Sequence, residues 1–130
     1  MKCKVTKSKI SGQITCPPNK SYSHRAIFLA SIAGKDSKVN NVLLSADTKA
    51  TIEACKKFGA EIEIENSSII VKNPIDLGTN VPEIDADNSG TTIRIASGIA
   101  SLYSEEIILT GDSSLQKRPM QPLLDALSSI

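Results

Sequence analysis

Slid along itself by 69 positions, this sequence falls back into step. Asn19 meets Asn88, Arg25 meets Arg94, Ser45 meets Ser114 and Phe58 meets Leu127. A helix, strand, helix order recurs without a gap, although few identities survive. Self-similarity at one period constrains a fold strongly, because each copy must build the same supersecondary unit. The unit reads β-α-β-α-β-β. The expected class is therefore α+β, made of repeated units with mixed sheets and buried helices. The second copy is incomplete: the chain stops at Ile130, the last apolar position of a helix with no cap after it, which reads as a truncation.

The individual elements follow from local pattern. Polar and apolar residues alternate over 2–6, and 13–16 forms a second short strand stopped by Pro17 and Pro18. A helix is expected over 21–33, closing at Gly34, and it is apolar on nearly every side, which places it inside. A strand over 39–44 leads to a helix capped by Asp47, with Ile52, Cys55 and Phe58 inward. Lys49, Glu53, Lys56 and Lys57 face water there, with Glu53 and Lys57 spaced for an i,i+4 pair, and Gly59 closes the helix. Strict alternation over 61–65, a turn at Asn66-Ser67 and a return over 68–72 make a hairpin. A loop over 73–83, with Pro74, Gly78 and Pro82, precedes the second copy: helix 91–102, strand 106–109 and helix 120–130. On the last, Met120, Leu123, Leu124, Leu127 and Ile130 share a face.

A net charge of +1 gives no bulk attraction to nucleic acid or to an anionic membrane, and 3% aromatic content offers few stacking platforms for bases. Any anion site must be local. Cys3, Cys16 and Cys55 lack the C-x-x-C spacing of a zinc or redox site, and their apolar contexts read as buried, reduced thiols; no metal is expected. No apolar run reaches the length of a membrane span, and the first residues lack a signal peptide's apolar core, so cytoplasmic residence is the expectation.

Three stretches can each hold an anion. In PPNKSYSHRA (17–26), Lys20, Ser21 and Arg25 stand at a helix start whose free N–H groups favour negative charge, with Ser21 and Arg25 on one face. In DADNSGTTIR (85–94), Asn88, Ser89, Gly90 and Thr91 stand at another, and Gly90 allows close backbone approach. In LTGDSSLQKRPM (109–120), Arg118 follows a strand and can grip a carboxylate or phosphate in two-pronged fashion. Spacing alone leaves a second reading open for each: capped helix starts carrying solvated cations. His24, the only histidine, is expected to pack or hydrogen-bond locally rather than to catalyse.

Taken together, the three stretches resemble the enolpyruvyl transferase family, whose patterns are P-G-x-K-S-x-S-x-R-A, D-x-G-N-S-G-T-x-x-R and L-T-G-D-x-x-L-x-x-R-P-M. They occur in the family's order, and the likeness runs from Gly12 to the last residue. The resemblance implies transfer of the enolpyruvyl group of phosphoenolpyruvate to the 5-hydroxyl of shikimate 3-phosphate, with release of phosphate. That is a shikimate-pathway step toward chorismate and the aromatic amino acids, and the one that glyphosate blocks. It implies no cofactor, and as partners the two substrates and the remainder of a longer enzyme, with no nucleic acid and no membrane. Carried over by motif, Lys20 touches both substrates and takes part in catalysis. Ser21 and Arg25 hold shikimate 3-phosphate, Gly90 and Arg118 hold phosphoenolpyruvate, and Asn88, Ser89 and Thr91 support the loop. Pro18 and Asp87 stand where many members have glycine, and Gln116 where a basic residue is common.

Family members are several times longer and close two similar domains on substrate. The resemblance therefore implies an N-terminal portion, inactive alone, with residues 1–17 belonging to the opposite domain and 18–130 to a truncated substrate-binding domain. Without a partner, the first strands are expected to pair with another copy or fray. Two alternatives stand beside this reading. One is a relative of the branch acting on UDP-N-acetylglucosamine, which has asparagine where Ser21 stands. The other is a non-catalytic anion-binding or assembly module.

Overall fold

A computed structural model describes residues 2–34, 36–81 and 83–130. Met1 of the leading segment and Pro82 of the expected connecting loop lie outside the described residues. The first unit runs Lys20–Ala33 (α1), Ser37–Val39 (β1), Ala46–Lys57 (α2), Glu61–Glu65 (β2) and Ser68–Asn73 (β3). The second runs Glu83–Asp85 (β4), Gly90–Ala100 (α3), Ile108–Thr110 (β5), a 3₁₀ turn over Leu115–Lys117, and Gln121–Leu127 (α4).

Helix starts are set by short-range chemistry. The Asn19 side chain accepts the Tyr22 N–H at 3.0 Å and caps α1. Ser45 and Thr48 form a reciprocal capping box at α2, and Ser89 caps α3 by accepting the Thr92 N–H at 3.2 Å. The strands β1-β3-β2 form an antiparallel sheet, in which the β2–β3 hairpin turns through Asn66 at φ 55°. β4 and β5 pair in parallel, Ile84 opposite Leu109. One core joins Ile27 and Phe28 of α1, Ile52, Cys55 and Phe58 at α2, Ile69 and Val71 of β3, Ile84 of β4 and Ala96 and Ile99 of α3. The α+β class and the hairpin are as expected from sequence, though each sheet is of one kind rather than mixed.

Several local expectations are corrected. Residues 2–17 carry no strand; their side chains are exposed, Val5, Ile10 and Ile14 among them, because no described strand lies alongside to take their backbone groups. The strand expected over 39–44 ends at Val39, since Asn41 turns left-handed at φ 55°. β4 begins at Glu83, the last residue of the expected loop, and continues through Ile84 and Asp85. The cap of α2 is Ser45, not Asp47, which sits in the first turn; the surface ion pair joins Glu53 to Lys56 at 2.9 Å rather than to Lys57. α1 is buried on one side only, leaving Leu29 and Ile32 exposed, and α4 buries no residue and ends at Leu127. Of the cysteines only Cys55 is buried, which pushes its thiol up to about 12; Cys3 and Cys16 are exposed.

Candidate functional site

The three polar stretches converge on one cleft. A cavity of about 530 Å³ opens between the starts of α1, α2 and α3, lined by Lys20, Asp47, Asn88, Gly90, Thr91, Arg94, Ile95 and Arg118. Residues far apart in sequence meet there because α1, α2 and α3 pack on one another around the core. α3 is the centrepiece: Ser89 satisfies Thr92, while the N–H groups of Gly90 and Thr91 have no acceptor within the helix.

Each cation is held in a specific way. Lys20 Nζ lies 2.6 Å from Asp47 Oδ2, and this hydrogen bond, against a smaller opposing effect of burial, keeps the Asp47 carboxyl below its usual range. Arg118 Nη2 donates to Asn88 Oδ1 at 3.3 Å, and Asn88 Nδ2 donates in turn to Asp112 Oδ2 at 2.6 Å. That amide, with the Leu115 and Ser114 N–H groups and the Arg118 charge, holds Asp112 below the ordinary carboxylate range. Arg94 donates to Gly90 O at 3.1 Å and to Pro119 O at 3.2 Å, tying α3 to the segment after Arg118. Three cations thus face one carboxylate around a helix start, an arrangement suited to an anion carrying more than one negative charge.

Of the residues singled out by sequence, the cleft gathers Lys20, Asn88, Gly90, Thr91 and Arg118. Ser89 lies beneath as the buried cap. Ser21 and Arg25 are exposed and outside the lining; the Arg25 guanidinium rests 4.8 Å from the centre of the Tyr22 ring. Asp47 and Arg94 were not expected as lining residues. Arg94 had a signal, since the 69-residue shift lays it on Arg25; Asp47 had none, because its partner Lys20 is 27 positions away. Asp87, where many members of the resembled family have glycine, takes a left-handed turn at φ 52°, so the loop keeps a glycine-like shape, and it is not among the lining residues. His24 bonds to Thr51 across the α1–α2 contact, a longer reach than the local role expected. Among the described residues no group of three or more His, Cys, Asp or Glu is placed to hold a metal, and no helix is long and apolar enough to cross a membrane.

Comparison with known proteins agrees in sequence and in shape. The family model of EPSP synthase (3-phosphoshikimate 1-carboxyvinyltransferase) matches residues 5–130. The chain is 83% identical over 130 residues to a 3-phosphoshikimate 1-carboxyvinyltransferase of Nitrosopumilus maritimus, and 46% identical over 132 residues to one of Methanocella arvoryzae. All of this chain is covered in both cases, but it spans only 31% of either relative's length. An EPSP synthase structure from Acinetobacter baumannii superposes with a TM-score of 0.81 at 32% identity, covering 91% of this chain and 28% of that one.

Proposed function

The chain belongs to the EPSP synthase family, and from that premise we propose that it supplies one wall of a cleft for enolpyruvyl transfer. Phosphoenolpyruvate gives its enolpyruvyl group to the 5-hydroxyl of shikimate 3-phosphate, and inorganic phosphate leaves. The observation that carries this reading is the meeting of Lys20, Gly90 and Arg118, each from a different motif, around one cavity.

In this reading phosphoenolpyruvate lies across the start of α3. Its charges are met by the Gly90 and Thr91 N–H groups and by Arg118, in a site that stabilises charge where it develops. Lys20 exchanges its Asp47 contact for substrate oxygens and bridges the two substrates. Ser21 and Arg25, outside the lining, hold shikimate 3-phosphate, for which Arg25 leaves the Tyr22 ring. Residues 18–130 belong to the substrate-binding domain, and 1–17, with Val5, Ile10 and Ile14 exposed, pair with an opposite domain. The expected compartment is the cytoplasm.

The test is an NMR titration of this chain with shikimate 3-phosphate, followed by phosphoenolpyruvate. Localised shifts at Lys20, Ser21 and Arg25 with the first ligand, then at Gly90 and Arg118 with the second, are expected. A flat response at millimolar ligand sinks the proposal for this chain.

A further inference from the structure

Beneath the cleft runs a line of polar side chains that the function above does not use. His24, Thr51, Thr92 and Ser89 are each at most 1% exposed, and they come from α1, α2, α3 and the cap of α3. His24 Nδ1 lies 2.6 Å from Thr51 Oγ1, Thr51 Oγ1 lies 2.7 Å from Thr92 Oγ1, and Thr92 Oγ1 lies 2.6 Å from Ser89 Oγ. These contacts are all within hydrogen-bond range, and they link three helices inside the core, where each such bond is strong.

The direction of the chain follows from one unpartnered atom. His24 Nε2 is buried and has no hydrogen-bond partner among the described residues. If Nε2 carried the proton, an N–H donor would be left unmet in the core, which folded proteins rarely tolerate. A bare lone pair at the same place is the milder deficit. Nδ1 therefore holds the proton and donates to Thr51. Thr51 then donates to Thr92, and Thr92 to Ser89, whose second lone pair takes the Thr92 N–H at 3.2 Å. The alternative acceptor along the way, Asp47 O, is at 3.4 Å from Thr51 Oγ1 and 3.5 Å from Thr92 Oγ1, too far to compete well.

We propose that His24 is a positioning residue: through Thr51 and Thr92 its Nδ1–H orients the Ser89 cap and so sets the start of α3 against the start of α1. In that role it holds Gly90 in place relative to Lys20. That the alignment serves phosphoenolpyruvate rests on the function proposed above; the run of hydrogen bonds does not, and is tested without substrate.

Nitrogen-15 NMR of the His24 ring in this chain reads the tautomer directly. A protonated Nδ1 with a bare Nε2 near neutral pH is expected, and a protonated Nε2 overturns the proposal. Hydrogen exchange at the Thr92 amide supplies the second readout. His24→Asn places its amide nitrogen where Nδ1 lay, and exchange stays within about threefold of the parent. His24→Leu fills the space without a donor, and exchange speeds up by about tenfold, the scale of one weakened N-cap. Equal behaviour of the two variants refutes the idea. Should His24→Leu fail to fold, Thr51→Val removes the middle hydroxyl while keeping shape. It must then move both the His24 ring shifts and the Thr92 exchange rate; a variant that moves neither rules the proposal out.

Discussion

Replacing Gly90 by alanine separates what the fold needs from what the cleft needs. Gly90 is the first residue of α3, and its φ lies outside the left-handed region, so no backbone strain forbids a side chain. Space does: a Cβ there would lie 2.6 Å from Arg118 Nη1 and 3.1 Å from Arg94 Nη1. Ordinary contact is about 3.5 Å, so the end of Arg118 must withdraw by about 1 Å. Both neighbours are ends of flexible side chains, and alanine is the better helix former by up to about 1 kcal/mol. Stability measured by urea unfolding is therefore expected to stay level or rise slightly. Binding is expected to fall. Displacing the guanidinium strains its bond to Asn88 Oδ1 and costs one charge-assisted bond to the anion, worth about 1.5–3 kcal/mol. That is on the order of 10- to 100-fold in affinity for phosphoenolpyruvate, followed by the NMR titration. Two results refute the reasoning: loss of more than about 1 kcal/mol of stability, which would mean the backbone required glycine, or unchanged affinity, which would place the anion elsewhere.

Two further outcomes concern the core. Phe58→Ala removes a wholly buried ring that packs 5.5 Å from Tyr103, whose hydroxyl donates to the Phe58 carbonyl at 3.2 Å; a loss of about 3–5 kcal/mol by urea unfolding is expected, and a loss below about 1 kcal/mol contradicts the packing described. Acid should weaken the fold through His24, whose pKa burial lowers more than Asp47 raises it, with Lys20 lowering it further. Because the unfolded chain then binds the proton more readily, the contribution of His24 is complete above its unfolded pKa of about 6.5 and is lost as pH falls toward the lower folded value. Stability should drop as pH falls below about 7 in the parent and much less in His24→Asn, and parallel curves for the two proteins would refute it.

The hairpin β2–β3 was legible because both of its determinants are local: an alternating Glu-Ile pattern and an Asn-Ser turn whose Asn66 adopts a positive φ. The helix starts were legible to within a residue or two for the same reason, since a cap spans only three or four positions. Asn41 shows the limit, because an asparagine pair signals a turn that the apolar run after it obscured. Burial was less readable. The run Ile27-Phe28-Leu29-Ala30 looks apolar all round, yet Leu29 faces outward, since only the neighbours packed on α1 decide which side is covered. The segments 2–6 and 13–16 have a strand's pattern but no described strand beside them.

The same division runs through the site. The amino-acid order by itself determined which residue types stand at the helix starts, and with them the chemistry available: Lys20, the Asn88-to-Thr91 cap loop and Arg118. It also determined the α+β class, because periodicity and capping are written in neighbouring residues. Only the tertiary structure decided that Lys20 pairs with Asp47, that Arg94 joins the lining while Arg25 turns to Tyr22, and that His24 reaches Thr51, Thr92 and Ser89 through the core. The Lys20–Asp47, His24–Thr51 and Thr51–Thr92 contacts join positions 27 to 41 apart, whereas the meeting of Arg25 and Tyr22 depends on which face of α1 is left open. Distances of that kind are set by helices packing on a shared core, which no local pattern encodes.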